Sequence, residues 1–197
     1  MKNIKKIIIG TNNKGKYREI ASLLPKKIVK YSPENFKIKS PREDGKTFEK
    51  NSYLKAKFFS KKTKLICISD DSGLLINALN GKPGIHSARW GGKSKNFNYA
   101  IKKVFREMSK KDKYWKKSKA HFICSLTIYY PDGKYITKIG KVNGHIINHK
   151  RGKKGFGYDP IFVPKNYSKT FGEMNFNKKK SIDHRYRAFL KIKKYLY

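Results

Sequence analysis

The feature that most constrains the fold is a short apolar run that ends in two adjacent acids. Residues 65–69 read Leu-Ile-Cys-Ile-Ser, which is typical of a buried strand, and Asp70 and Asp71 follow directly. A strand that ends in acids delivers negative charge to a fixed place in a sheet, and such oxygen ligands suit Mg²⁺. Because consecutive strand side chains point to opposite faces, we expect the two aspartates to serve different partners. The alternative is a polar turn in which an aspartate binds backbone N–H groups.

The remaining elements follow from apolar spacing and from turn residues. We expect Ser72 and Gly73 to turn the chain, with a new apolar run beginning at Leu74. The pattern also predicts strands over 6–10 and 28–31, helices over 17–24, 47–62 and 98–108, a hairpin over 120–142 and a final helix whose first turn contains His184 and Arg185. A length of 197 residues suits a single domain, residues 1–197, that can bury a sizeable core.

A strand, a glycine-bounded loop and a helix follow one another near the N-terminus. The loop reads Gly10-Thr11-Asn12-Asn13-Lys14-Gly15-Lys16. Backbone N–H groups and the positive end of a helix face an anion in such an arrangement, so the loop is a candidate phosphate site to which Lys16 adds a charge. The spacing also fits most of a Walker A loop, but Tyr17 stands where Ser or Thr would hold Mg²⁺. A plain polar turn is the third interpretation.

Two further candidates lie between this loop and the acids. Glu43 stands in a polar loop, residues 32–46, of a chain with few acids, and is therefore a candidate metal ligand; a surface turn is the alternative. Asn51 and Lys55 are four residues apart in a predicted helix and share a face. Lys55 would lie beside the apolar side of that helix, where a lysine needs an anion, whereas a solvated lysine is the default in so basic a chain.

The last quarter of the chain carries two more candidates. Glycines flank the ring in Gly155-Phe156-Gly157, which leaves a ring face uncovered for stacking on a flat base; a glycine-rich bend before a strand is the alternative. His184 and Arg185 fall in the first turn of the final helix, where cations oppose the helix dipole. That cost indicates a function, namely the binding of acceptor atoms or phosphate.

Charge is the most prominent compositional feature. The chain has 49 Lys and Arg against 13 Asp and Glu, a net charge of +36. Such an excess attracts polyanions, so nucleic acid or a phosphorylated small molecule is a candidate ligand. The excess is spread along the whole chain, mostly as lysine, and the alternative interpretation is A/T-rich coding, which would give this composition without any selection for binding. Weak, salt-sensitive binding to nucleic acid follows from the charge in either case.

Cysteine content and hydropathy exclude several classes of protein. Cys67 and Cys124 both sit in apolar runs and there is no CxxC, so neither a disulfide framework nor a zinc site is expected. No apolar stretch reaches 18 residues, so no membrane span is expected. The segment Met1–Lys6 leads into only three isoleucines, too few for a signal peptide, and we expect a cytoplasmic protein.

Taken in order along the chain, these motifs resemble the non-canonical purine NTP pyrophosphatases, the inosine/xanthosine triphosphatase family. Each motif alone is modest, but six in the same order over nearly the whole chain are specific. They are Thr11-Asn12-Asn13-Lys14-Gly15-Lys16 with Glu19, Thr47-Phe48 with Asn51 and Lys55-Ala56, Asp70-Asp71-Ser72-Gly73-Leu74, Gly81-x-Pro83-Gly84-x-x-Ser87-Ala88-Arg89, Gly155-Phe156-Gly157-Tyr158-Asp159-Pro160 and Ser181-Ile182-x-His184-Arg185.

The resemblance implies a fold and an activity. The fold is α/β, an elongated mixed β-sheet with flanking helices and two lobes around a central substrate cleft, in a homodimer. The activity is Mg²⁺-dependent hydrolysis of dITP, ITP and XTP to the monophosphate and pyrophosphate, which clears deaminated purines from the nucleotide pool. Nucleic-acid binding would then be only incidental, and no membrane partner is implied.

The resemblance also implies roles for individual residues. Asp71 resembles the general base that readies water for the α-phosphorus, and Glu43 with Asp71 resembles the metal-binding pair. The implied triphosphate contacts are Thr11, Asn12, Asn13, Lys14, Gly15, Lys16, Lys55 and Lys179, with Ser72 nearby. Phe156 resembles the base-stacking ring, with Gly157, Tyr158 and Asp159 completing that wall. His184 and Arg185 resemble the donors that read the 6-oxo group of the purine, a contact that would reject adenine.

The chain departs from the family pattern at several places. Gly10 stands where the family often has alanine, and Asp183 precedes His184 where serine is frequent. The run 177–180, Asn-Lys-Lys-Lys, places a lysine on each side of Lys179, so a neighbouring lysine is the alternative for this position. Two other functions stay open at this point: a P-loop kinase or NTPase that releases the γ-phosphate, and a basic nucleic-acid-binding protein without catalysis.

Overall fold

A computed structural model describes residues 4–196, so the first three residues of the N-terminal segment discussed above lie outside the described part. The strands are β1 (Lys6–Ile9), β2 (Val29–Tyr31), β3 (Ile66–Ile76), β4 (Lys117–Tyr129), β5 (Tyr135–Ile147) and β6 (Phe162–Pro164). The α-helices are α1 (Lys14–Leu23), α2 (Phe48–Thr63), α3 (Phe97–Ser109), α4 (Phe176–Lys180) and α5 (His184–Ile192). Short 3₁₀ turns cover Pro33–Phe36, Asn77–Leu79, Gly84–His86, Arg89–Gly91, Asp159–Ile161 and Lys193–Tyr195.

The strands form one mixed sheet in the order β2-β1-β3-β4-β5-β6. Strand β1 pairs in parallel with β2 and β3, and β5 pairs antiparallel with β6. Strands β4 and β5 are neighbours joined by a tight turn, in which the Gly133 N–H donates to Tyr130 O at 3.0 Å. This is the hairpin that the sequence predicts, and the mixed α/β architecture is confirmed.

The chain divides into two compact units, each with its own core. The first comprises Met1–Asp71, Cys124–Gly140 and His184–Tyr197. Its main core joins isoleucines of β1 to apolar residues of α1, β4 and α5, among them Ile20, Leu126 and Phe189. A smaller cluster, which includes Ile8, Ala56 and Phe59, packs α2 on the other side of β1. Helices pack on both faces of β1, and this packing fixes the position of the end of the strand, from which the next loop starts.

The second unit comprises Ser72–Ile123 and Lys141–Asp183. Its core packs one face of α3 against apolar residues of β3, β4 and β5, and against aromatic residues near β6. Phe122, Phe162 and Phe171 form a ring cluster there, with Phe122 and Phe162 centroids 4.7 Å apart. No helix within residues 4–196 is both long and apolar enough to cross a membrane.

The predicted turn at Ser72 and Gly73 is wrong. Strand β3 runs without interruption from Ile66 to Ile76 and passes through both residues. Most of its side chains are buried, and it lies between β1 and β4 in the sheet. Pairing on both edges outweighs the local preference of a Ser-Gly pair for a turn. The acids therefore lie within a long strand instead of at its end.

Candidate active site

The two aspartates of β3 contact different partners, as the alternation of strand side chains predicts. Asp70 is fully buried, and its Oδ2 accepts from Nε and Nη2 of Arg185 at 3.2 and 3.1 Å. The Lys16 ammonium lies 3.2 Å from the same oxygen. Asp71 instead accepts at Oδ2 from Nδ2 of Asn51 at 3.0 Å. Asp70 is thus held by two cations, whereas Asp71 is hydrogen-bonded to a neutral amide.

Helix α2 supplies the groups around Asp71 because of its capped start and its periodicity. Thr47 caps the helix by accepting the Lys50 N–H at 3.1 Å, as the sequence predicts. Asn51 and Lys55 then lie one turn apart and are both buried. The Lys55 ammonium is 3.1 Å from Glu43 Oε1 and 3.9 Å from Asp71 Oδ1. Lys55 is therefore a buried lysine with anionic partners, which excludes the solvated alternative.

Glu43 and Asp71 thereby flank one cation, the Lys55 ammonium. Within residues 4–196 no group of three or more His, Cys, Asp or Glu side chains could hold a metal ion. Two carboxylates nevertheless fit Mg²⁺, because this ion is often bound by one or two carboxylates and completes its shell with waters and substrate phosphates. Glu43 is about one-third exposed, so its carboxylate is open to solvent on one side.

Burial raises the pKa of the Asp71 carboxyl above its ordinary value of 3.8. The positive charges of Lys55 and Lys16 lower this pKa, as does the hydrogen bond from Asn51. The negative charge of Glu43 raises it further. A buried carboxyl whose pKa is raised is a stronger base than an exposed aspartate, which suits proton transfer near neutral pH.

The loop between β1 and α1 is short and internally hydrogen-bonded. Thr11 Oγ1 accepts the Asn13 N–H at 3.2 Å, and Asn13 Oδ1 accepts the Lys16 N–H at 3.0 Å, which caps α1. Helix α1 begins at Lys14, so Gly15 already lies in its first turn and only residues 10–13 separate it from β1. A Walker A loop needs the whole glycine-bounded segment to wrap a phosphate, and this geometry disfavours that alternative. Asn12 and Lys14 are exposed at the same end of the helix.

Lys16 is oriented toward the carboxylates. Burial is the largest single influence and acts to lower its pKa, but the negative charges of Asp70, Asp71 and Glu43 together leave the pKa of Lys16 raised. Lys16 therefore stays protonated, and it brings a positive charge to the acids from the candidate phosphate loop.

Arg185 is the largest fully buried side chain in the described chain, at 1 % exposed. Besides Asp70, its guanidinium donates from Nη1 to Glu19 of α1. Two carboxylates thus offset the cost of a cation in the first turn of α5. His184, which begins α5, is also buried. That these two residues read a purine stays a prediction, since Arg185 contacts acids here.

In the second unit, the Asp159 carboxylate and the Lys179 ammonium lie beside the glycine-flanked residue Phe156. Asp159 Oδ2 accepts from the Phe156 N–H at 2.8 Å and from the Lys179 ammonium at 2.7 Å. That ammonium also lies 4.8 Å from the centroid of the Phe156 ring. Lys179 and Asp159 are both buried, whereas Lys178 is exposed, so the structure distinguishes Lys179 from its neighbour. Lys179 thus contacts the aromatic loop, residues 155–159, and its ammonium also lies 5.6 Å from the centroid of the Phe171 ring.

The rest of this loop is anchored to the core of the second unit. The Tyr158 hydroxyl donates to Ser87 O at 2.9 Å, and its ring packs edge-on against Phe97 at 5.5 Å. Gly155 and Gly157 both have positive φ, 72° and 70°, which favours glycine on each side of the phenylalanine. Ser72, the first residue of this unit, is half-buried in β3.

Comparison with known proteins settles the family. The model of the Ham1 family matches residues 7–195, nearly the whole chain. The chain belongs to the Ham1 family. The dITP/XTP pyrophosphatase of Bacillus cereus is 40 % identical over 196 residues, 98 % of this chain and 95 % of that protein. The dITP/XTP pyrophosphatase of Dictyoglomus thermophilum is 43 % identical over 195 residues, 96 % of this chain and 93 % of that protein.

Solved structures agree with this assignment. A Ham1 protein from Coxiella burnetii superposes with a TM-score of 0.86 at 32 % identity, and the Staphylococcus aureus Ham1 protein with 0.83 at 34 % identity. Each comparison covers 98 % of both chains. The family inferred from six sequence motifs is therefore confirmed, together with its fold.

Two residues of this Ham1 chain have contacts that the sequence did not predict. In the sequence Glu19 is only one member of a motif, yet it is a buried partner of Arg185. Asn51 is likewise a motif member, noted there for its spacing from Lys55, yet it contacts Asp71. The available signal was the residue type at each position. A carboxylate or an amide on the inner face of a helix needs a hydrogen-bond partner, so its presence there indicates a buried polar contact.

Proposed function

We propose that this chain hydrolyses the non-canonical purine nucleoside triphosphates dITP, ITP and XTP to the monophosphate and pyrophosphate. The observation that carries the proposal is the set of contacts around Asp71. A buried carboxylate is held by a neutral amide and flanked by Lys55 and Glu43. The names of the relatives, dITP/XTP pyrophosphatases, support the choice of substrate.

Asp71 is proposed as the general base. It accepts a proton from a water molecule as the water oxygen bonds to the α-phosphorus. The bond from that phosphorus to the oxygen bridging to the β-phosphate breaks, and pyrophosphate leaves with the electron pair. The raised pKa of Asp71 supports this role, because a stronger base accepts the proton more readily.

Positive charge is proposed to stabilise the triphosphate. Lys16 and Lys55 are cations beside the acids, and the loop Thr11, Asn12, Asn13, Lys14 and Gly15 brings backbone N–H groups at the start of α1. Glu43 and Asp71 are the proposed ligands of Mg²⁺, which when bound would neutralise negative charge on the phosphates. Their donor set supports a hard cation with oxygen ligands.

Recognition of the base is proposed for residues of the aromatic loop and of α5. Phe156 offers a ring for stacking, and Gly157, Tyr158 and Asp159 hold its loop. The contacts of Lys179 with Phe156 and Asp159 support a place beside the base in preference to the triphosphate. His184 and Arg185 are proposed to donate to the 6-oxo group, and Ser72 is proposed as a nearby substrate contact.

The wider setting is also a proposal. We expect one catalytic domain over residues 1–197, a homodimer, a cytoplasmic location and no membrane partner. Nucleic-acid binding is expected only as a by-product of the charge of +36.

Product analysis tests the proposal directly. Purified protein is incubated with ITP, XTP, GTP and ATP, each with and without Mg²⁺. We expect IMP or XMP plus pyrophosphate in the presence of the metal, with ATP and GTP spared. Release of inorganic phosphate and a diphosphate would identify a γ-phosphate NTPase instead. Absence of turnover of all four nucleotides would overturn the proposal and leave charge-driven nucleic-acid binding as the leading function.

A further inference from the structure

Asn51 is a buried side chain that uses both ends of its amide. It is 1 % exposed, its Nδ2 donates to Asp71 Oδ2 at 3.0 Å, and its Oδ1 accepts the Gly45 N–H at 2.8 Å. The orientation of the amide follows from chemistry. A backbone N–H can only donate, so the oxygen must face Gly45 and the NH₂ group must face the carboxylate.

Gly45 belongs to the loop that carries Glu43, and its contact with Asn51 is close. A Cβ added at Gly45 would lie 2.6 Å from Asn51 Oδ1 and 2.8 Å from Lys50 Cγ. Such distances are too short for a real Cβ, so an alanine there would force the loop away from α2. The absence of a side chain at Gly45 is therefore what lets its N–H reach the amide.

Asn51 thus joins two segments that are distant in sequence. One is β3 with Asp71, and the other is the loop two residues after Glu43. Lys55 also lies between the two carboxylates, but a lysine is a flexible point charge with three rotatable donors. The planar amide of Asn51 is directional and buried. It therefore fixes both the orientation of the Asp71 carboxylate and the position of the Gly45 backbone relative to α2.

We propose that Asn51 is a positioning residue that sets the spacing of the Glu43 and Asp71 carboxylates for a divalent cation. This inference rests on the proposed function, in which these two groups are the metal ligands. Partners that orient metal ligands typically change metal affinity or activity by about 10- to 100-fold when they are removed.

The test measures Mn²⁺ binding without nucleotide, by electron paramagnetic resonance of the free ion, on the full chain. Asn51→Leu keeps the size of the side chain and removes both hydrogen bonds. We expect it to bind Mn²⁺ about 10- to 100-fold more weakly than the wild type and, at saturating metal, to lower kcat more than it changes KM for ITP. Wild-type Mn²⁺ affinity in a folded Asn51→Leu protein would overturn the inference.

The matched control is Ser52→Ala, the next residue of α2. Ser52 is also fully buried and hydrogen-bonded, but its side-chain partners are Ser125 at 2.9 Å and Thr127 at 2.8 Å in place of a carboxylate. We expect this variant to lose thermal stability while binding Mn²⁺ as the wild type does. An equal loss of Mn²⁺ affinity in Ser52→Ala and Asn51→Leu would show a general effect of loosening α2 and would overturn the positioning role.

A second variant covers the case in which Asn51→Leu fails to fold. Gly45→Ala leaves Asn51 and Asp71 in place and displaces only the loop. We expect weaker Mn²⁺ binding with a melting temperature near that of the wild type, and unchanged affinity would contradict the inference.

The proposed function is judged separately by the nucleotide products. If the wild type binds Mn²⁺ but releases no pyrophosphate from ITP, the proposed function is wrong. The comparison of Mn²⁺ affinity between the wild type and the variants remains valid in that case. No Mn²⁺ binding by the wild type would overturn the inference.

Discussion

At the scale of single residues, β3 divides two adjacent carboxylates between two tasks. Asp70 is fully buried and held by Arg185 and Lys16, so its charge is neutralised by two cations. Asp71 has an amide at 3.0 Å and the Lys55 ammonium at 3.9 Å, and its pKa is raised. The first arrangement favours stability of the fold, and the second keeps a carboxylate reactive.

Replacing Asp71 is expected to separate activity from stability. Asp71→Asn removes the proposed base, so pyrophosphate release from ITP should fall to background. The raised pKa means that the folded protein binds this proton more tightly than the unfolded chain does. The contribution of Asp71 to the free energy of unfolding is therefore fully present below pH 3.8 and is lost as pH rises through the raised pKa. In metal-free buffer at pH 7 we expect Asp71→Asn to unfold at higher urea concentration than the wild type.

Asp70→Asn is the matched comparison on the neighbouring residue. Removing this carboxylate leaves Arg185 and Lys16 without the charge that they share, and breaking a buried pair in this way typically costs about 3–5 kcal/mol. Urea unfolding of the two variants at pH 7 should therefore give opposite signs. A stable Asp70→Asn protein, or an Asp71→Asn protein that retains turnover, would contradict the division of tasks.

At the scale of elements, α2 connects the core to the candidate site. One turn of this helix presents Asn51 and Lys55 to the acids, while the intervening Ser52 hydrogen-bonds to Ser125 and Thr127 of β4. These hydroxyl contacts fix the position of α2 relative to β4. The position of the amide beside Asp71 therefore follows from packing of the whole helix.

The end of β1 offers an element-scale prediction that is specific to this chain. Gly10 stands where the family pattern often has alanine, and a Cβ there would lie 2.7 Å from Phe59 Cδ2 and 2.8 Å from Cys67 Sγ. We expect Gly10→Ala to lower the free energy of unfolding by about 1–3 kcal/mol, because overpacking forces side chains to shift. Urea denaturation measures this, and the double variant Gly10→Ala with Cys67→Ala should recover part of the loss. Wild-type stability for Gly10→Ala alone would show that the Phe59 ring moves aside without cost.

These elements also show what the sequence can and cannot predict. The start of α2 at Thr47 and the separate partners of Asp70 and Asp71 follow from local rules of capping and alternation, and both are confirmed. The turn at Ser72 and Gly73 is wrong because local preference carries no information about strands that pair from distant parts of the chain. The link through Asn51 was missed for the same reason, since its two partners lie 6 and 20 residues away.

At the scale of the whole molecule, more than a third of the scarce acids are buried. Of the 13 Asp and Glu residues, five are buried. These are Glu19, Asp70, Asp71, Asp159 and Asp183. Few carboxylates therefore remain on the surface to offset 49 Lys and Arg. The compact state thus carries a large self-repulsion, which the unfolded chain relieves by expanding.

This repulsion predicts that salt stabilises the protein. Raising NaCl from about 20 mM to about 300 mM shortens the screening distance from roughly 20 Å to roughly 6 Å, so repulsion between surface lysines weakens while buried pairs such as Arg185 with Asp70 are screened much less. We expect the melting temperature, followed by circular dichroism, to rise by several degrees over this range. Sucrose at matched osmolality is the control for exclusion effects that do not depend on charge. A melting temperature that falls with NaCl would mean that exposed ion pairs, such as Lys110 with Glu107, contribute more than the net charge of +36.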